Sequence, residues 1–163
     1  MNNEMIVHPF EPVVNDKSKI LILGSFPSVI SRQKNFYYAN KSNRFWKVME
    51  DLFHQSIDDQ KQFCLEHGIA LWDVIYSCRI KGSSDSSIAD VKINDIEGLL
   101  KNTDIHTIFT TGGKASDLFK KYVHVDCEHI SLPSTSGANA RMRLDDLVES
   151  YQIILRKLNE KES

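Results

Sequence analysis

Cysteine is scarce in this chain of 163 residues, and its spacing suggests neither a bridge nor a metal site. The three cysteines, Cys64, Cys78 and Cys127, are odd in number and form no Cys-x-x-Cys pair. We therefore expect partly buried, reduced thiols, without a disulfide framework or a zinc or iron–sulfur centre. The six histidines show no His-x-His or His-x-x-x-His spacing. A chemistry without metal or cofactor is the resulting expectation.

Long apolar runs and a strong charge of one sign are missing too. No stretch approaches the roughly 18 apolar residues that a membrane span needs, and the first residues lack the basic and apolar regions of a signal peptide. The sequence thus predicts a soluble, cytoplasmic protein without membrane contact. The formal net charge of -2 argues against a basic protein that coats DNA, although it would not reveal a local basic patch.

What is present is enough apolar sequence for one core, and an alternation of strand and helix patterns. With 41% apolar residues, residues 1–163 are expected to form a single domain. Short apolar runs predict strands, and segments with helical spacing or caps predict helices. The predicted strands are 19–24, 69–76, 106–111 and 128–132, and the predicted helices are 43–53, 58–67, 94–102, 114–123 and 144–158.

The strands are apolar on both faces, which is typical of a parallel sheet covered by helices on both sides. The expected fold is therefore α/β, a three-layer α/β/α sandwich with a central, mainly parallel four-stranded sheet. Loops 25–42 and 81–87 contain no predicted helix or strand, and turn-forming residues place the second of them at the surface. In such folds function gathers beyond the carboxyl ends of the strands, so the loops after the first and last strands are the informative ones.

Two familiar motifs fail at defined positions. Around Lys114 a phosphate loop would need glycine where Ile108 stands, and Ala115 replaces the Ser or Thr that would hold magnesium. Ser25 and Ser28 in Gly-Ser-Phe-Pro-Ser could serve a serine hydrolase, but the Gly-x-Ser-x-Gly elbow is absent. A nucleoside triphosphatase is excluded, and a serine hydrolase stays a weak alternative.

The loops after the first and last strands carry the strongest functional signal. They read GSFPSVISRQKNFYYANKSNRFWKV (24–48) and LPSTSGANARM (132–142). Together, in this order, they resemble the two active-site motifs of the uracil-DNA glycosylase superfamily, in the form of its hypoxanthine-DNA glycosylase branch. The resemblance extends over nearly the whole chain, and its specificity rests on these two segments.

The resemblance implies a catalytic role for Asn43. Uracil-excising members have an Asn where this chain has Phe26, and the hypoxanthine branch uses the Asn before x-Phe-Trp instead, which corresponds to Asn43. The chain departs from the family pattern at Asn40 and Lys41, where His-Pro is common, and at Gly137, where Pro is common. A helix-capping role for Asn43 is the alternative that its position alone allows.

Excision of a base requires that the nucleotide be flipped out of the duplex and that its base be bound. Aromatic faces stabilise a flipped base by about 1 to 3 kcal/mol each, although they can equally cap the core. Backbone amides at Ser25 and Phe26 could bind base oxygens, and Asn43 could position the water. The predicted base-binding residues are Ser25, Phe26, Phe36, Tyr37 and Tyr38.

DNA contacts are predicted in and beside the same motifs, where small polar residues and arginines can bind phosphates. The candidates are Ser28, Arg44, Ser134, Thr135, Ser136, Asn139 and Arg141, with Arg32 and Arg143 flanking them. Asp73 and Asp85 are weaker candidates for a general base. No lysine stands at the catalytic position of the first motif, so a Schiff-base lyase step is not expected, despite Lys34 and Lys41 nearby.

The resulting hypothesis is a monofunctional DNA glycosylase that removes a deaminated base, hypoxanthine above all, during base excision repair. Its partner would be DNA that contains a damaged base, and we expect a cytoplasmic, nucleoid-associated monomer. Two alternatives stay open. The chain could excise uracil from mismatched or single-stranded DNA, or it could bind damaged DNA without catalysis.

Overall fold

A parallel sheet of four strands forms the centre of the molecule. The computed structural model describes residues 5–160. The strands are β1 (Met5–Val7), β2 (Ile20–Gly24), β3 (Ile69–Asp73), β4 (Ile75–Arg79), β5 (Ala89–Ile93), β6 (Thr107–Thr111) and β7 (Glu128–Leu132). The helices are α1 (Val29–Lys34), α2 (Phe45–Phe53), α3 (Gln60–His67), α4 (Ile96–Leu100), α5 (Gly113–Tyr122) and α6 (Leu144–Leu158).

The central sheet has the order β3-β2-β6-β7, and all of its neighbouring strands are parallel. Residues of β2 alternate between its two faces because successive side chains of a strand point in opposite directions. Ile20 and Ile22 pack in one cluster with α2, α3 and α6, whereas Leu21 and Leu23 pack in the other with α4 and α5. Helices thus cover both faces, which confirms the predicted three-layer α/β fold.

A second sheet of three antiparallel strands, in the order β1-β4-β5, was not predicted. The predicted strand 69–76 is wrong in its extent, because the chain changes sheet at Val74. The backbone amides of Val74 and Ile75 donate to the carbonyls of Gly24 and Ser25, at 2.8 and 3.1 Å. These bonds end the pairing of β3 with β2, and the chain continues as β4 in the other sheet.

The helices differ from the prediction mainly at their ends and in loop 25–42. This loop contains α1, which was not predicted, and α4 is shorter than the predicted helix 94–102. Gly68 ends α3 in a left-handed conformation at φ 77°, as its predicted role as a C-cap requires. Cys64 and Cys78 are buried and Cys127 is partly buried, all as free thiols. Within residues 5–160, no helix is long and apolar enough to cross a membrane.

Candidate active site

A cavity of about 170 Å³ opens where β2, β3 and β6 end. An apolar cavity of about 150 Å³ holds a benzene ring, so this space suits a flat ring. Both sequence motifs reach it. The lining includes Ser25, Phe26, Ser28, Tyr37, Tyr38 and Asn43 from the first motif, and Ser134, Thr135 and Ser136 from the second. Phe36, Arg44, Asn139 and Arg141 are not part of its lining.

The side chain of Asn43 is held from two directions. Its Oδ1 accepts hydrogen bonds from the backbone amide of Phe45, at 2.9 Å, and from the hydroxyl of Thr135, at 2.8 Å. An amide N–H can only donate, so this contact fixes which end of the side chain is oxygen. The Nδ2 group is therefore the end left to act on a ligand. Asn43 caps the first amide of α2 as well, so the catalytic and structural interpretations coexist.

Arg44 binds the second motif instead of facing solvent. Its guanidinium donates to the backbone carbonyls of Ser136 and Asn139, at 2.9 and 3.1 Å, and to that of Met142. Its own backbone amide donates to the carbonyl of Thr135 at 2.9 Å. Nη1 and Nη2 are thus bonded within the protein and Nε is buried without a partner among the described residues, so these contacts give no support to the prediction that Arg44 contacts phosphate. Arg44 holds loop 133–143 beside the segment that carries Asn43.

Gly137 marks the closest approach of the two motifs. A Cβ on this residue would stand 3.0 Å from the backbone oxygen of Ser42. A larger residue would therefore push the loops apart at the rim of the cavity. Asn139 stabilises the same loop by donating to the carbonyl of Ser134 at 2.9 Å.

The aromatic residues of the first motif divide between the cavity and the core. Tyr38 stacks on Phe45 with ring centroids 3.9 Å apart, which covers one of its faces. Its φ of 54° lies in the left-handed region, where a bulky residue is strained. The Tyr38 hydroxyl is buried and has no hydrogen-bond partner in the described part of the chain. Burial, together with the nearby Asp73 carboxyl, raises the pKa of Tyr38 well above its ordinary range.

The other three rings are mainly packed inside the protein. Tyr37 is buried, its hydroxyl donates to the carbonyl of Glu11, and burial raises its pKa. Phe36 stacks on Trp46 and lies outside the cavity, so the base-binding role predicted for Phe36 is not supported. Phe26 lines the cavity, but it is largely buried, with the Arg32 guanidinium 5.6 Å from its ring centre.

The serines predicted to contact DNA are engaged in local turns. Ser28 caps α1 by accepting from the amide of Ser31 at 3.1 Å, and Ser134 and Ser136 each accept from an amide two residues further on. Arg32 donates to the carbonyl of Gly82 at 2.7 Å, and burial lowers its pKa. Arg141 is exposed. Arg143, which was predicted to flank these contacts, is exposed as well.

The structure also brings a His–Asp pair to the cavity, and sequence reasoning missed its histidine. Nε2 of His8 lies 2.7 Å from Oδ2 of Asp73, and both side chains are buried. Nδ1 of His8 lies 2.9 Å from the carbonyl of Phe10, which only accepts, so Nδ1 carries a hydrogen. The contact between Nε2 and Oδ2 therefore shares one further proton. Asp73 was considered only as a weak general-base candidate, and no motif connects it with His8.

Asp73 lines the cavity above Gly24. A Cβ on Gly24 would stand 2.7 Å from Oδ1 of Asp73, 3.6 Å from the Tyr38 hydroxyl and 3.8 Å from the Thr111 hydroxyl. Glycine is needed here so that the carboxyl can approach β2. On the opposite rim, Asp85 accepts from the Ser25 hydroxyl at 2.9 Å. Within residues 5–160, no cluster of three or more His, Cys, Asp or Glu side chains could hold a metal.

A ring-sized cavity at the carboxyl ends of a parallel sheet, with hydrogen-bonding side chains around it, defines an α/β protein with room for a flat polar ring. Comparison with known proteins then identifies the family. The uracil DNA glycosylase superfamily matches residues 11–158. The chain belongs to this superfamily, as its two motifs predicted.

Relatives that are named for an activity align with most of the chain. A hypoxanthine DNA glycosylase from Methanosarcina acetivorans is 37% identical over 143 residues, covering 84% of this chain and 90% of the relative. One from Methanosarcina barkeri is 31% identical over 138 residues, covering 81% and 87%. A candidate uracil DNA glycosylase from Methanosarcina acetivorans, solved by NMR, is 31% identical with a TM-score of 0.80 and covers 98% of this chain and 100% of its own.

Proposed function

We propose that this protein is a monofunctional DNA glycosylase that excises a deaminated base, hypoxanthine above all, from DNA during base excision repair. The observation that carries the proposal is the Asn43 amide, held by Phe45 and Thr135 at the rim of a ring-sized cavity. Membership of the uracil DNA glycosylase superfamily and two relatives named hypoxanthine DNA glycosylase support the same activity.

The reaction replaces the bond between the base and C1′ of the sugar by a bond from C1′ to a water oxygen. The electron pair of the broken bond leaves with the base, and a proton from the water ends on that base. Asn43 Nδ2 donates to the water, which keeps a second lone pair for attack on the cationic sugar. Ser25 and Phe26 line the cavity, and their backbone amides would stabilise charge on the departing base.

The lysines near the first motif support hydrolysis without a lyase step. Lys34 and Lys41 are exposed and do not line the cavity. A Schiff base requires a lysine amine at the sugar carbon. The product would therefore be an intact strand with an abasic site.

The experiment is single-turnover excision on labelled duplexes that carry hypoxanthine, uracil or adenine at one site, followed by hot alkali. Release of hypoxanthine, with strand cleavage only after alkali, would support the proposal. Release of uracil alone would move the chain to the uracil-excising alternative. Tight binding to damaged duplexes without any release would instead support the non-catalytic binding module.

We also propose that a single copy, folded as one domain over 1–163, acts on damaged DNA in the cytoplasm, at the nucleoid. Every residue of the proposed site comes from one chain, so assembly is not needed to complete it. Light scattering after gel filtration measures the molar mass of the protein, with and without a damaged duplex, and so tests whether it is a monomer. A dimer in the free protein would contradict this part of the proposal.

A further inference from the structure

The cavity lining contains an acceptor and a donor that both lie near Gly24. Oδ1 of Asp73 and the hydroxyl of Tyr38 lie 2.7 and 3.6 Å from one point, the position of a Cβ on Gly24. Both side chains line the cavity, and the Tyr38 hydroxyl has no hydrogen-bond partner among the described residues. A buried polar group without a partner destabilises the protein, so this hydroxyl is a suitable contact for a ligand.

His8 determines what Asp73 presents to the cavity. Nδ1 of His8 donates to the Phe10 carbonyl, so the single proton between Nε2 and Asp73 lies on the His8–Asp73 hydrogen bond. Whether that proton is nearer to Nε2 or to Oδ2, Oδ1 carries none. Oδ1 is therefore an acceptor in either state, and a ligand that meets it must bring a donor.

Deamination exchanges a donor and an acceptor on the edge of a base, and an acceptor and a donor on the protein, here Asp73 Oδ1 and the Tyr38 hydroxyl, can distinguish the two patterns. Adenine has a ring nitrogen that accepts, next to an amino group that donates. Hypoxanthine has a ring N–H that donates, next to a carbonyl oxygen that accepts. The same reversal separates uracil from cytosine. An acceptor beside a donor on the protein therefore matches the deaminated edge and opposes the unmodified one.

We propose that Asp73 Oδ1 and the Tyr38 hydroxyl bind the N–H and C=O of this lactam edge, and that His8 is the positioning residue that keeps Oδ1 an acceptor. The inference rests on the proposed glycosylase function and deepens it. It assigns a specificity role to residues outside the first motif, because His8 precedes β2 and Asp73 ends β3. Tyr38 acts here through its hydroxyl, since Phe45 already covers one face of its ring.

The test compares duplexes that carry hypoxanthine or 1-methylhypoxanthine, in which a methyl group replaces the ring N–H. The wild-type protein is expected to release hypoxanthine about 100-fold faster, since a site built for a donor rejects a ligand without one. Asp73→Ala removes the acceptor and makes room for the methyl group. Its rate on hypoxanthine should fall about 10- to 100-fold, and the preference between the two bases should fall to near one.

Asp73→Asn provides the conservative variant. Its amide N–H can donate to Nε2 of His8, which leaves the amide oxygen in the place of Oδ1. The preference for hypoxanthine should therefore survive, with a rate within about 10-fold of wild type. Asp90→Asn, an identical change on an exposed residue paired with Arg79, is the matched control and should behave as wild type.

The outcomes distinguish failure of this inference from failure of the proposed glycosylase function. Failure of the wild-type protein to release hypoxanthine overturns the proposed function, and the inference with it. If hypoxanthine is released and 1-methylhypoxanthine is released equally fast, the function stands and the inference is wrong. If Asp73→Ala slows both bases by the same factor and keeps the wild-type preference, Asp73 is structural and the inference is also wrong.

Discussion

Asn43 combines a structural and a chemical task in one side chain. Its oxygen receives the Phe45 amide and the Thr135 hydroxyl, whereas its Nδ2 group is left for the reaction. Asn43→Asp keeps an oxygen for both contacts, loses the donor and adds a negative charge. We expect excision to fall about 100- to 1000-fold without loss of stability. Asn43→Ala should also lose about 0.5 to 2 kcal/mol of stability, because α2 loses its cap.

Single-turnover rates and urea unfolding of the two variants measure these effects separately. Asn102→Asp, on an exposed residue outside both motifs, controls for the added charge. If Asn43→Asp retained the wild-type rate, the Nδ2 group would have no part in the reaction. Asn43 would then be a helix cap alone.

At the level of single residues, the sequence predicted those that lie in a recognisable motif. Asn43, Ser25 and Thr135 were assigned to the site by the motifs, and all three line the cavity. His8 could not be found in this way, because it lies 65 positions from Asp73 in a segment without a pattern. The bonds of Arg44 to the second motif were not predicted, because the sequence does not show which backbone carbonyls a charged side chain will contact.

Among the structural elements, loop 133–143 depends on the Arg44 guanidinium. Three backbone carbonyls of this loop accept from it, and arginine offers its donors in a fixed planar fork. Arg44→Lys keeps the charge and loses that geometry. We expect amide exchange in residues 133–143 to accelerate about 5- to 100-fold, as loss of about 1 to 3 kcal/mol of local stability implies. Hydrogen-exchange mass spectrometry measures it.

Arg44→Lys also distinguishes two roles for Arg44: a clamp, meaning its hydrogen bonds to the carbonyls of loop 133–143, and a contact with DNA phosphate. If Arg44 served only to contact phosphate, loop exchange in the free protein would not change, because the loop carbonyls would not depend on its guanidinium, and lysine would weaken DNA binding by losing the planar fork. Unchanged exchange in Arg44→Lys, together with weaker DNA binding, would therefore contradict the clamp.

Gly137 determines how closely that loop approaches the first motif. Gly137→Ala places a Cβ 3.0 Å from the Ser42 oxygen, so the loops must separate by a few tenths of an ångström. Since misplacement by about 1 Å can cost about 100-fold in rate, we expect a loss of excision of roughly 3- to 30-fold. Gly113→Ala meets no atom within 4 Å and is the matched control. Equal rates for the two variants would show that the close approach is unimportant.

The predicted elements fail where a local pattern cannot show which partner a strand will choose. Residues 69–73 and 75–78 are largely apolar, so their composition predicted one strand. The chain changes sheet at Val74, beside its backbone bonds to Gly24 and Ser25. These bonds join distant parts of the chain, so a local pattern cannot show them. Strands β1 and β5 are short and largely exposed, and they give little apolar signal. The parallel sheet was predictable because its strands are buried runs.

For the molecule as a whole, the parallel sheet gathers residues from four distant segments into one cavity. Its lining comes from the ends of β2, β3 and β6 and from the loop after β7. Carboxyl ends of parallel strands lie at one edge of a sheet, which is where ligands bind in such folds. The fold therefore explains why Asp73 and Asn43 line one cavity although no local motif unites them.

The net charge of -2 and the arginines used within the protein limit how strongly DNA can be held. Arg32 and Arg44 donate to backbone carbonyls, whereas Lys41, Arg141 and Arg143 are exposed in or beside the two motifs. About three phosphate contacts would give a slope near −3 for the logarithm of the binding constant against that of salt concentration. Arg141→Ala should reduce this slope by about 1. Fluorescence anisotropy between 50 and 200 mM salt, roughly the range over which such slopes are resolved, measures it.

Arg156→Ala is the matched control for that measurement. Arg156 is exposed in the last turn of α6, and a rise of about 1.5 Å per residue places it roughly 20 Å from the helix start that follows loop 133–143. Its removal changes the net charge equally and should leave the slope as in wild type. If both variants reduce the slope alike, general attraction holds the DNA. If only Arg141→Ala does, a local contact beside the cavity compensates for the negative charge of the whole chain.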